Sequence, residues 1–159
     1  MSKLNDDLSL RALDDVPAPA LYDLDFVRWT EHQAMLVRER RFGELDLENL
    51  LEEIESMGSS EHHALRSRLV VLLIHLLKCQ FQPERKSESW LATLGEQRTQ
   101  IELGLERSPS LKSHLAAYIE KAYRSAVRRA SIETGLEQTV FPSANPYSAE
   151  QILDIDFIP

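Results

Sequence analysis

The chain has 159 residues, 26 acidic and 18 basic groups, a formal charge of −8 and a 43% hydrophobic fraction. That composition fits one ordinary globular domain and makes non-specific nucleic-acid binding a poor expectation. A single cysteine excludes an internal disulfide framework or a multi-cysteine zinc site, and points to a reducing compartment.

Charge is uneven along the chain. Residues 1–60 hold 14 acidic and 6 basic groups, residues 61–134 hold 8 and 12, and residues 135–159 hold 4 and none. A mildly basic middle therefore sits between acidic flanks, to be met either within the fold or by an acidic partner.

Residues 1–20 read as an acidic tail or linker carrying Leu4, Leu8, Leu10 and Leu13, with Pro17 and Pro19 holding an extended segment before a helical domain over 21–159. The start of the chain is acidic and lacks a basic-then-apolar leader pattern, so a cytoplasmic location is expected. A first helix is predicted over about 23–41, capped by Asp23, with Phe26, Trp29, Gln33, Leu36, Val37 and Arg40 on one side.

Asp46 then caps a second helix. Its apolar set, Leu47, Leu50, Leu51, Ile54 and Met57, has amphipathic spacing, and Gly58 is placed to end it. Ser59 or Ser60 opens a third helix running to about 82, where Pro83 stops it. Leu69 through Leu77 make this helix apolar on nearly its whole circumference, as suits the centre of a fold. The same run is interrupted by His75 and is half the length needed to cross a bilayer, so no membrane role is expected.

A fourth helix spans about 88–107. A fifth begins at Ser108-Pro109 and ends at Gly135, with Leu111, Leu115, Tyr118, Ile119, Ala122, Ala126 and Ala130 facing inward. Ser148 and Gln151 have capping-box spacing for a short last helix. No stretch alternates with strand period. The predicted fold is all-α: a single-domain bundle of about five main helices around a central apolar helix at about 60–82, plus the short C-terminal helix.

Signposts of common chemistry are missing. The five glycines form no phosphate-cradling or dinucleotide loop, and no Gly-x-Ser-x-Gly or His-Glu-x-x-His occurs, so no cofactor is indicated by motif. More informative are polar residues on faces that should be apolar. Projected at about 100° per residue, Glu61, Arg68, His75 and Gln82 form one narrow stripe on the third helix, with Cys79 on the same side. Gln97 lies amid Trp90, Leu94 and Ile101 with Arg98 at the margin, while Arg129 and Glu133 extend the inner face of the fifth helix and are spaced to pair.

Buried polar groups need partners. Arg68, His75, Gln82, Gln97, Arg129 and Glu133 are therefore the expected polar cluster, within the fold or beside a wet cleft. His75 with Glu52 or Glu53 could ligate a metal, and His75 with Cys79 a soft one, although the paired Glu-x-x-His pattern of a di-iron bundle is absent.

Segments 47–58 (LENLLEEIESMG), 72–84 (LLIHLLKCQFQPE), 89–98 (SWLATLGEQR), 108–111 (SPSL) and 133–136 (ETGL) resemble the bacterial domain-of-unknown-function 29 family, as do Phe141-Pro142, Asn145-Pro146 and the final 156–159. The resemblance covers about 21–159. It implies a small, all-helical, cytoplasmic bacterial protein and supplies no mechanism. Two functions remain open from the sequence. The first is a non-enzymatic interaction module with a protein partner or self-association. The alternative is a metal-dependent or acid–base enzyme using Glu53, His75, Gln82 and Arg98 between the second, third and fourth helices.

Overall fold

The computed structural model describes residues 17–159. Among them are six α-helices and no strand: α1 (Ala18–Leu24), α2 (Phe26–Arg38), α3 (Leu47–Phe81), α4 (Glu88–Arg107), α5 (Leu115–Thr134) and α6 (Ala149–Leu153). The all-α class is as expected, but the helices are divided differently. The leucines of the expected tail, Leu4 to Leu13, lie outside the described residues.

Pro17 and Pro19 begin α1 instead of holding an extended linker: Pro17 occupies the cap position, and its carbonyl accepts from Leu21 N at 3.0 Å. Proline in a first turn gives up only an N–H that has no helical partner there. The expected 23–41 helix is interrupted at Asp25, whose extended backbone ends α1 and whose carboxylate accepts from Arg28 N at 3.1 Å to cap α2. Asp25, not Asp23, is thus the cap. At the far end Arg40 takes a left-handed φ of 57°, turning the chain out of α2.

The second and third expected helices are one. Gly58 does not end a helix; it lies inside α3, which is 35 residues long. An interior glycine costs about 1 kcal/mol against alanine, which a long helix tolerates. The described residues form two compact units, one ending at Gly58 and one over Ser59–Pro159, and α3 passes through the point of division.

In the first unit Trp29, Gln33 and Leu36 form the buried edge of α2, joined by Leu21 of α1. In the second, α3 supplies Leu69, Leu72, Leu73, Ile74, Leu76 and Leu77, all essentially fully buried. Around them pack Leu94, Ile101 and Leu105 of α4, and Ile119, Ala122, Ala126 and Ala130 of α5. Gly135 closes α5 in the left-handed conformation (φ 74°), and the capping box of Ser148 and Gln151 opens α6. Phe141, Tyr147 and Ile152 seal the core from the C-terminal segment.

Candidate functional site

The polar residues of the second unit are held mainly by other parts of the fold. His75 is half-buried, and its Nδ1 donates to the Val71 carbonyl one turn back at 2.9 Å. Burial holds its pKa below the ordinary imidazole value, and the charges of Lys78 and Arg129 push the same way against the Val71 carbonyl and Glu133. The ring is therefore neutral at pH 7, with Nε2 as its acceptor.

Among the described residues Glu133 does not make the pair with Arg129 that their spacing predicts. Its Oε2 takes Lys78 Nζ at 2.9 Å, and the same ammonium lies 4.5 Å from the centre of the Trp90 ring. Lys78 is a residue that the helical projection passed over. Its signal was plain, a cation set between Leu77 and Cys79 in a segment with almost no other charge. A carboxylate and an aromatic face together make its burial tolerable.

Gln82 donates to the Thr134 carbonyl at 3.0 Å, satisfying an acceptor at the end of α5. Arg98, placed at the margin by projection, is only 4% exposed. Its guanidinium donates to the carbonyls of Ile152 (2.9 Å), Phe157 (2.8 Å), Ile155 (3.3 Å) and Gln151 (3.4 Å), clamping the C-terminal segment. Gln97, placed inward, is only half-buried, as is Arg68, which lines a recess with Glu61, Gln100 and Arg107. Arg129 is exposed. The expected cluster therefore gathers only around His75, where Lys78, Arg129 and Glu133 come near; Gln82 binds the end of α5 and Arg98 the C-terminal segment.

Glu53 and His75 each have their own setting on α3, 22 residues or about six turns apart. Glu53 Oε1 accepts from Tyr22 OH at 2.6 Å, and that bond, first among the causes, pushes the phenol pKa up to about 12. Glu52 is exposed. Among the described residues no three His, Cys, Asp or Glu side chains gather to hold a metal. Cys79 is fully buried, and burial raises its thiol pKa, the opposite of what a reactive thiolate needs.

A second network, which the sequence announced only as a cap and a misplaced amide, fixes the first unit. Asp46 Oδ2 accepts from Trp29 Nε1 at 3.0 Å and from Asn49 Nδ2 at 2.7 Å, while Asp46 N donates to Gln33 Oε1 at 2.9 Å. One carboxylate thus joins α2 to the start of α3.

That inward edge of α3 leaves the apolar set facing out. Leu47, Leu51, Ile54 and Met57 are 66%, 57%, 64% and 69% exposed, and only Leu50 of the expected inner face is half-buried. The expectation of an inward apolar stripe fails here for a geometric reason. Asp46, Asn49, Leu50 and Glu53 occupy the edge facing α1 and α2, and Leu47, Leu51 and Ile54 lie within an arc of about 60° turned away from it. Glu48, Glu52 and Glu55, all exposed, run along one margin of that arc.

A family model described as a domain of unknown function, DUF29, matches residues 21–158. The chain belongs to the DUF29 family. No curated protein and no solved structure matches it. The DUF29 match takes in the Asp46 network, the Lys78–Glu133 pair and the segment clamped by Arg98. In this DUF29 protein those groups hold elements together, and no helix among the described residues is long and apolar enough to cross a membrane. The first unit leaves the apolar arc of α3 exposed, and with it Leu24, Phe26, Val27, Val37 and Phe42 of its other segments.

Proposed function

We propose that this protein is a non-enzymatic interaction module of the bacterial cytoplasm, and that residues 47–57 of α3 dock a basic amphipathic helix of another protein. The observation that carries this reading is the exposed set Leu47, Leu51, Ile54 and Met57, at i, i+4, i+7 and i+10 on one helix. Such contiguous apolar surface marks recognition sites, and helix-to-helix docking reads this spacing. Full burial of each side chain is worth about 1.5–3 kcal/mol before the cost of association. Charge selects the partner. The acidic margin of Glu48, Glu52 and Glu55 attracts lysine and arginine, and would repel the same margin on a second copy.

The cytoplasmic setting rests on the lone, buried thiol of Cys79 and the bacterial one on the family resemblance. The catalytic alternative draws no support from the groups it would need. His75 Nδ1 bonds to its own helix and the Arg98 donors to backbone carbonyls. The test is titration with a fluorescent helical peptide bearing leucines at i, i+4 and i+7 between lysines. Saturable binding that weakens with salt, and that is lost in Leu51→Ser/Ile54→Ser with unchanged thermal stability, supports the reading. No binding overturns it. Self-association in light scattering, dispersed by the same double substitution, would put a second copy in the partner's place.

A further inference from the structure

The second unit carries a recess of another chemical character. α3 presents His63, Arg66 and Ser67 across from Tyr118, Lys121 and Ser125 of α5, around a cavity of about 130 Å³. On each helix these positions follow the i, i+3, i+4, i+7 pattern of a single face, so two ridges line one groove. Its lining offers a guanidinium, an ammonium, two serine hydroxyls, the Tyr118 phenol and an imidazole, and no carboxylate.

The carboxylates nearest in sequence turn elsewhere. Glu61, on the far side of α3, is held by Arg107 at 2.6 Å, and Glu120 is exposed about 160° around α5 from Tyr118. Neither Arg66 nor Lys121 is paired with a carboxylate among the described residues; Arg66 rests 5.9 Å from the Tyr118 ring centre. Tyr118 is itself fixed, its hydroxyl 2.8 Å from His62 Nδ1 and its ring stacked on His114. Buried Ala122 and half-buried Val70 give the recess an apolar floor. Two unpaired cations and two hydroxyls above a rigid aromatic and apolar floor make a site for a tetrahedral oxyanion, in a protein whose net charge is −8.

We propose that this recess binds the phosphoryl group of a small phosphorylated molecule. The volume suits one phosphoryl group and not a nucleotide. Binding here is independent of the docking face on residues 47–57, so either can fail without the other.

The test is an amide NMR titration of the full chain with inorganic phosphate and with glycerol phosphate, each against sodium chloride at matched ionic strength. Saturable shifts confined to the neighbourhood of residues 63–67 and 118–125, produced by both phosphates and not by chloride, are the expected result. Arg66→Gln and Lys121→Gln each weaken binding about tenfold by removing a charge-assisted bond, while Arg128→Gln leaves it unchanged. Circular dichroism confirms that the exposed substitutions leave the fold intact. Absence of saturation, an equal response to chloride, or an equal loss in Arg128→Gln overturns the proposal. So does tight binding of a single-stranded oligonucleotide with shifts spreading along α5 to Arg128 and no response to phosphate, which would make the face a nucleic-acid surface.

Discussion

Arg98 lies at one extreme of what a single side chain does in this fold. Its fork of donors reaches four carbonyls of a segment more than 50 residues away, and among the described residues no carboxylate bonds to it. Arg98→Met removes those bonds and leaves the Ile152 and Phe157 carbonyls without a partner. The expected loss is about 3 kcal/mol in urea denaturation, with hydrogen exchange over residues 149–159 rising first. Arg98→Lys recovers only part of it, because an ammonium cannot reproduce the planar fork. His75 gives a different prediction. Its folded pKa lies below the unfolded value of about 6.5, so its contribution is fully present above that pH and declines as pH falls through 6.5 toward the lower folded value. Replacing it with glutamine flattens the stability profile between pH 7 and 5; an unchanged slope refutes the assignment. Gln97 and Arg98 also mark the limit of helical projection. The sequence placed Gln97 inside and Arg98 at the rim, and the structure reverses their depth. The reason is that an arginine can be buried wherever carbonyls converge, and the carbonyls here come from a segment whose path no helix wheel contains. Lys78 is legible as a cation in an apolar run, but its partner is not, since Glu133 is 55 positions away.

At the scale of elements, local chemistry was legible and competition between signals was not. The Ser148–Gln151 capping box, the left-handed Gly135 and the Asp46 cap each depend on a few consecutive residues, and each occurs where the sequence put it. Gly58 carries the same kind of local signal and is helical. A glycine ends a helix only if the chain beyond it has something better to do, and Ser59, Ser60 and Glu61 continue with no turn of their own. Its φ is not left-handed, and a methyl group there would meet nothing within 4 Å. Gly58→Ala is therefore expected to stabilise the protein by about 1 kcal/mol, raising Tm by about 2–4 °C. A lowered Tm would mean that α3 bends at this point in solution. The outward stripe of residues 47–57 shows the converse limit. Amphipathic spacing reports that a helix has an apolar face, but the side turned inward was decided by Trp29 and Tyr22, which fasten to Asp46 and Glu53.

Across the whole molecule, the core is distributed far less evenly than the helices. The large apolar cluster draws on Leu65 through Ile152, whereas residues 55–60 of the same α3 are all exposed. One continuous helix thus joins a stretch held by tertiary packing to one held chiefly by its own hydrogen bonds. Helical hydrogen bonds alone give marginal stability in water, and local opening follows local burial. Amide exchange should therefore step along α3. Amides at 69–79 exchange only through global unfolding, and those at 52–60 exchange through local opening, faster by a factor of about 100 or more, equivalent to about 2.7 kcal/mol. Gly58→Ala should slow the second group while the protection of the first rises only by its effect on global stability. Binding of a basic helix along Leu47, Leu51 and Ile54 should slow it further, because a bound partner adds its own free energy to closing that stretch. Uniform protection from residue 52 to residue 79 would show that α3 opens as one unit, and that its exposed half is fastened by more than the Asp46 and Glu53 contacts.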